Sequence, residues 1–80
     1  MFFAYVLKSE AHDFYYKGHY KDLEKRLIQH NSGMTKSLRP HIPLKIIYFE
    51  EFDSRIEAQN RERHFTLAAG RGYLKTRISR

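Results

Sequence analysis

The sequence predicts an α+β fold, a small three-stranded antiparallel sheet flanked by helices. Residues 2–8, FFAYVLK, alternate with a period of two and are apolar on both faces, which is typical of a strand covered on both sides. Residues 14–19, FYYKGH, follow a short polar turn, so we expect a second strand that returns antiparallel. Two further segments, 22–32 and 54–67, carry the start and stop signals of helices.

The remaining segments complete the order strand, strand, helix, strand, helix, helix. Residues 34–43 contain both prolines of the chain and are predicted to be a loop. Residues 44–52, LKIIYFEEF, predict a third strand, which we expect at the centre of the sheet because its apolar run leaves little polar face. Residues 72–78 predict a short final helix after a glycine-flanked segment.

Local signals fix the two main helices. In the first, Leu23 and Leu27 form the stripe expected to face the core, and Gly33 follows as a stop signal. In the second, Ser54 and Glu57 have the spacing of a capping box, in which each side chain satisfies a backbone donor of the first turn. Both segments therefore carry the boundary signals expected of helices.

Composition limits the classes of function. Eighty residues predict one domain, 1–80, and the absence of cysteine excludes disulfides and thiolate zinc ligands. A net charge of +6 favours a polyanionic partner, and residues 63–80 carry five Lys or Arg and no acid. No apolar run is long enough to span a bilayer, so we expect a cytoplasmic protein that does not enter membranes.

Arg26 and His30 are the first candidate site residues. They lie four positions apart, so on a helix both reach the same ligand from the edge of the Leu23 and Leu27 stripe. Arginine offers a planar fork of donors to phosphate, and histidine exchanges a proton near neutral pH. Two solvated surface residues would give the same spacing, so the pair alone leaves both interpretations open.

Glu62 is the second candidate. It interrupts a helix face on which Ala58 and Phe65 are expected to be buried, and a carboxylate there needs a partner. A hard divalent cation is one partner, because Mg²⁺ often takes only one or two protein carboxylates. An ion pair with Arg55 or Arg61 is the other.

Tyr5 and Tyr16 are the third candidate pair, since adjacent antiparallel strands bring them close. A tyrosine hydroxyl beside a cation orients a water molecule or accepts its proton, whereas a core tyrosine only packs with its hydroxyl at a wet edge. The five histidines show no zinc-ligand spacing.

Taken in order, these residues resemble the GIY-YIG nuclease superfamily, in particular its small single-domain UPF0213 or UvrC-endonuclease-like branch. The resemblance covers residues 2–78. Its motifs are Phe3-Ala4-Tyr5 on the first strand, Tyr16-Lys17-Gly18 on the second, Arg26 and His30 on the first helix, and Glu62 on the second. Phe3-Ala4 stand where the family has glycine and isoleucine, Lys17 stands where it has isoleucine, and no asparagine follows Glu62.

The resemblance implies a metal-dependent endonuclease that hydrolyses phosphodiester bonds in DNA, in repair or processing. Tyr5, Tyr16, Arg26 and His30 would be catalytic, and Glu62 would hold Mg²⁺ or Mn²⁺. All five would then line one pocket. Nucleic acid would be bound by a further set of residues, namely Lys17, His19, Arg71, Lys75 and Arg77.

Family nucleases commonly carry a separate DNA-recognition domain, for which this chain has no room. The resemblance therefore implies little intrinsic sequence specificity, or specificity supplied by a homodimer or a separate partner. The alternative function is a catalytically inactive nucleic-acid-binding module on the same scaffold. A protein-interaction domain also fits the composition but leaves the Tyr, Arg, His and Glu set unexplained.

Overall fold

The computed structural model describes residues 1–67, 72, 74, 75 and 77. Three strands form one sheet: β1 (Phe2–Ser9), β2 (Tyr15–Tyr20) and β3 (Leu44–Phe52). Two α-helices, α1 (Leu23–Asn31) and α2 (Arg55–Thr66), accompany them. The predicted α+β class is confirmed, and each of these elements lies within two residues of its predicted bounds.

The sheet is antiparallel throughout, with the strand order β2-β1-β3. The expectation that β3 is central is wrong, because β1 occupies the centre and β3 forms an edge. The side chains give the physical reason: the fully buried run lies on β1, from Ala4 to Leu7, whereas Phe49 on β3 is half exposed. Apolar content alone therefore misplaced the centre of the sheet.

β1 carries apolar side chains into two separate cores, one on each face of the sheet. Ala4 and Val6 pack with Phe65 of α2 on the first face. Tyr5 and Leu7 pack on the second, against a ring of partly buried residues that includes Leu23 and Leu27 of α1. The alternation predicted for residues 2–8 is thus observed, and it places α1 and α2 on opposite faces of the sheet.

Side-chain caps fix where the helices begin. Asp22 accepts a hydrogen bond from the backbone N–H of Lys25 at 3.1 Å, and Ser54 accepts one from Glu57 at 3.2 Å. The serine hydroxyl also donates to the Glu57 carboxylate, so the predicted capping-box pair is in contact. After α1, Gly33 adopts a φ of 86°, the left-handed conformation that favours glycine at a helix end.

The predicted loop 34–43 is more regular than expected, because Lys36–His41 form a 3₁₀-helix with Leu38 buried. The side-chain amide of Asn31, at the end of α1, donates to the Leu44 carbonyl at 2.9 Å and accepts from the Leu44 N–H at 2.6 Å. This pair of hydrogen bonds ties α1 to the first residue of β3 and closes the segment between them.

The predicted last helix, 72–78, lies partly outside the described residues. Residues 72, 74, 75 and 77 are helical, and Leu74 is buried in the core that Ala4, Val6 and Phe65 form. Among the residues that the structure describes, no helix has both the length and the apolar character needed to cross a membrane.

Candidate active site

The tyrosine of the first motif lies directly across the sheet from the glycine of the second. Tyr5 and Gly18 are paired in register on β1 and β2. A Cβ atom placed on Gly18 would lie 2.5 Å from the Tyr5 hydroxyl oxygen and 2.7 Å from Cζ, both well inside van der Waals contact. The φ of Gly18 is not positive. The glycine is therefore required by the tyrosine ring that crosses it, and not by a turn.

Tyr16 completes the aromatic part of the cluster. Its ring centroid lies 6.4 Å from that of Tyr5 and 5.3 Å from that of His30, the latter edge-to-face. The two tyrosines and the histidine come from β1, β2 and α1, so the predicted proximity of Tyr5 and Tyr16 is observed and His30 joins them.

His30 lies deeper than the sequence indicated. The sequence predicts it at the edge of the leucine stripe, but His30 is fully buried, whereas Leu23 and Leu27 are only partly buried. Its Nε2 lies 3.3 Å from the Tyr5 hydroxyl and its Nδ1 lies 2.8 Å from Oγ1 of Thr35. Because both ring nitrogens have hydrogen-bond partners, the imidazole is tolerated in the core.

Burial and the neighbouring Arg26 charge lower the pKa of His30, so the ring is neutral at neutral pH. A neutral imidazole has one donor and one acceptor nitrogen. If Nδ1–H donates to Thr35, then Nε2 accepts from the Tyr5 hydroxyl and is placed to take its proton. The opposite tautomer would instead donate to Tyr5.

Burial raises the pKa of the Tyr5 hydroxyl from 10 to about 12, although Arg26 acts in the opposite direction by stabilising the phenolate. Tyr5 is therefore a protonated phenol at neutral pH. It can orient a water molecule by hydrogen bonding, and it acts as a base only when its own proton moves to another group.

Arg26 carries a buried polar atom without a partner. Its Nη1 donates to Gln29 at 3.1 Å, and its guanidinium lies over the Tyr20 ring at 4.7 Å. Its Nε is buried and makes no hydrogen bond to any of the described residues. Unsatisfied buried donors are rare and costly, so this N–H is available to an acceptor that binds beside Tyr5.

Glu62 has a protein partner, but this partner is neither Arg55 nor Arg61. Its Oε1 lies 2.5 Å from Nδ1 of His19 on β2, and both side chains are about 30% exposed. Arg61 instead pairs with Glu50 at 2.7 Å. The carboxylate on α2 is thus held by β2, where no periodic pattern could have paired residues 43 positions apart.

Glu62 approaches the sheet from the α2 side, since His19 alternates with Gly18 along β2. Its negative charge nevertheless contributes to raising the pKa of Tyr5. In the described sheet β2 is an edge strand, so groups on the two faces can approach each other around its free edge. Tyr5, Tyr16, Arg26 and His30 are therefore brought together, and a single pocket that also includes Glu62 stays a prediction.

The residues predicted to bind nucleic acid divide into three groups. Lys17 and His19 lie on β2, on the face that α2 covers. Lys75 and Arg77 are exposed on the described part of the C-terminal segment, and Arg71 lies outside the described residues.

Residues 1–73 match the GIY-YIG catalytic domain family. The chain belongs to this family. A UPF0213 protein of Clostridium perfringens is 41% identical over 63 residues, which cover 78% of this chain and 67% of that protein. A UPF0213 protein of Staphylococcus saprophyticus is 38% identical over 61 residues, covering 75% and 73%. One of Listeria welshimeri is 39% identical over 64 residues, covering 79% and 70%. No solved structure matches the chain significantly.

Membership of the GIY-YIG family implies a divalent metal, which would need ligands among the residues present. Within the described part of the chain there is no group of three or more His, Cys, Asp or Glu side chains that could hold a metal ion. Glu62 is partly exposed, and its Oε2 makes no hydrogen bond to the described residues. One available carboxylate oxygen suits Mg²⁺, which keeps most of its waters, and does not suit a metal that needs a full protein cage.

Sequence patterns missed two residues of this GIY-YIG cluster. Thr35 lies just after α1 and contacts His30, and Tyr20 supports the Arg26 guanidinium. Tyr20 ends the same strand as Tyr16 and Gly18, which is a signal that could have been used. Thr35 had none, because it lies in a segment without periodicity.

Proposed function

We propose that this GIY-YIG domain is a metal-dependent endonuclease that hydrolyses phosphodiester bonds in DNA with little intrinsic sequence specificity. The observation that supports this most directly is the buried, unpartnered Nε–H of Arg26 beside Tyr5 and His30. A phosphate oxygen is the acceptor that best suits a buried guanidinium, because the hydrogen bond is charge-assisted.

Each member of the cluster has a role that its contacts support. Arg26 holds the phosphate and stabilises the negative charge that grows on it. Tyr5 would accept a proton from the attacking water while its own proton passes to Nε2 of His30, which lies 3.3 Å away, so Tyr5 ends the step protonated. Thr35 holds the other ring nitrogen, and Tyr16 contacts the ring edge-to-face.

Glu62 would hold the divalent cation, and His19 fixes the orientation of its carboxylate. Mg²⁺ or Mn²⁺ bound there would polarise the phosphate and stabilise the leaving oxygen. Basic residues outside the cluster would guide DNA to it, with Lys75 and Arg77 exposed for this purpose. A cytoplasmic role in DNA repair or processing is consistent with this activity, as is a homodimer or a separate partner that supplies specificity.

The deciding experiment measures nicking of supercoiled plasmid with Mg²⁺ or Mn²⁺ alongside DNA affinity in the absence of metal. Glu62→Gln should abolish nicking and leave affinity unchanged or slightly higher, because a negative charge near phosphate is removed. Arg26→Ala should reduce both, because the guanidinium contacts the phosphate before and during the reaction. Glu51→Gln and Lys25→Ala are matched controls, since Glu51 is exposed on β3 and Lys25 is exposed on α1 beside Arg26.

Melting temperatures keep this experiment interpretable, because Glu62 is partly buried. Normal folding of Glu62→Gln together with normal nicking would show that the metal ligand is misassigned. A parent protein that binds DNA but nicks none with either metal would favour the catalytically inactive binding module.

A further inference from the structure

An apolar groove lies on the α1 side of the sheet, the same side as Tyr5 of the candidate active site. We call it the aromatic groove, and its volume is about 450 Å³. Its apolar lining consists of Phe3, Leu23, Ile46 and Phe49, and its charged lining of Lys21, Asp22 and Glu24. Phe49 is 51% exposed, although it contacts Phe3 edge-to-face with ring centroids 5.9 Å apart. Large aromatic side chains are normally covered, so an exposed one in a groove suggests a binding surface.

The sheet register joins this groove to the catalytic cluster. Phe49 is the cross-strand partner of Tyr5, and residues directly opposite each other project to the same face. Phe3 is the cross-strand partner of Tyr20, on whose ring the Arg26 guanidinium lies. A ligand whose phosphate contacts Arg26 therefore has the groove within about one or two strand spacings, roughly 5–10 Å.

The charges around the groove indicate which part of a nucleotide it receives. Asp22 and Glu24 line it together with Lys21, so a phosphate inside it would meet two carboxylates. A nucleobase is uncharged, stacks on an aromatic ring, and has amino groups that donate to carboxylate oxygens. The groove is therefore suited to a base whose phosphate is bound beside it.

We propose that the aromatic groove binds one unpaired nucleobase, stacked on Phe49, next to the phosphate held by Arg26. This inference rests on the proposed function and specifies its substrate class. Bases inside a duplex are already stacked and must be extruded at a cost of a few kcal/mol. The preferred substrate is consequently DNA with an unpaired nucleotide beside the scissile phosphate, such as a single strand, a flap or a branch.

The chain contains no tryptophan, so Phe49→Trp places a single indole in the groove as a fluorescent reporter. In metal-free buffer, a single-stranded oligonucleotide should change the tryptophan emission of Phe49→Trp in a saturable way. Its affinity for this variant should be about the same as its affinity for the parent. Phe49→Ala should weaken single-strand binding by roughly 5- to 150-fold, the range expected for the loss of one stacked base. Ile56→Ala is the control, because Ile56 is similarly exposed but lies on α2, across the sheet.

A second arm compares substrates with the parent protein. In a series of oligonucleotides, one abasic position is moved along the strand. The parent should bind such strands more weakly than the intact strand, by a factor similar to that caused by Phe49→Ala. The Phe49→Ala variant should bind abasic and intact strands equally well. Flapped DNA should be cleaved faster than intact duplex by the parent, and Phe49→Ala should bring the ratio of the two cleavage rates close to one.

The outcomes separate this inference from the proposed function. If the parent neither binds nor cleaves DNA, the proposed function fails and this inference fails with it. If the parent cleaves DNA but Phe49→Ala matches it on every substrate, only the groove assignment is overturned. If sedimentation shows a dimer that Phe49→Ala dissociates, while single-strand affinity is unchanged, then a second copy covers the groove and the inference is wrong.

Discussion

Replacing Gly18 by alanine should damage both the stability and the activity of the domain. The new Cβ would lie 2.5 Å from the Tyr5 hydroxyl and 2.7 Å from its Cζ, so the ring must move by about 1 Å to reach ordinary contact. Tyr5 is 1% exposed, and its neighbours leave it little room. Overpacking of this kind costs about 1–3 kcal/mol, from which about 0.5–1 kcal/mol is recovered because alanine suits a strand better than glycine.

The net destabilisation of roughly 0.5–2 kcal/mol corresponds to a melting temperature about 2–15 °C below that of the parent. Plasmid nicking should fall by about 10²-fold, because the Tyr5 hydroxyl is displaced relative to His30 and Arg26. Calorimetry and single-turnover nicking below the melting transition measure the two effects. Gly72→Ala is the matched control: nothing lies within 4 Å of its added Cβ and the residue is helical, so stability should be unchanged or higher.

A double-mutant cycle locates the clash. In a Tyr5→Phe background the hydroxyl contact is absent, so Gly18→Ala should cost less than it does in the parent, although the ring carbon still collides. An identical cost in both backgrounds would place the strain elsewhere. If Gly18→Ala has the melting temperature and the nicking rate of the parent, the close approach of Tyr5 to β2 determines neither stability nor activity.

Three further predictions concern charge. The pKa of His30 is lower in the folded than in the unfolded chain, so the unfolded state binds more protons and the free energy of unfolding should fall as pH drops below 6.5; urea titrations at pH 7.5 and 5.5 should show a smaller loss for His30→Gln. The pKa of Tyr5 is raised to about 12, so stability should decline as pH rises from 10 towards 12, by about 2–3 kcal/mol at full ionisation, and Tyr5→Phe should lack this part of the loss in alkaline urea titrations. DNA affinity should be chiefly electrostatic, with log K falling against log salt by ~0.9 per phosphate neutralised; Lys75→Ala should reduce that slope by about one such unit, and a salt-insensitive complex would contradict the picture.

Periodicity predicted the strands and helices well, because each depends on which residues alternate or recur within one segment. It failed for the position of β3, because the apolar run at residues 46–49 also occurs in an edge strand. The useful distinction was already present in residues 2–8, since apolar residues on both faces need covering from both sides. Phe49 shows why apolar content was misleading: it is an exposed edge residue, not a core one.

The candidate site was predictable where its members follow from one helix or two neighbouring strands. Arg26 and His30 share a helix face, and Tyr5 and Tyr16 lie on adjacent strands. The burial of His30 was not predictable, because it depends on a hydroxyl from β1 and another from the segment after α1. The Glu62 partner depends on how α2 docks against β2, which is a property of the packed molecule.

The two hydrogen bonds between Asn31 and Leu44 make the intervening segment a closed loop, because one side-chain amide satisfies both backbone groups of a residue 13 positions away. Closing a loop of this length costs conformational entropy once, and both bonds are lost together if it opens. Thr35 and the 3₁₀-helix lie inside this loop. The hydrogen bond between Thr35 and His30 is therefore kept or lost in a single cooperative step, as part of a local folding unit bounded by α1 and β3.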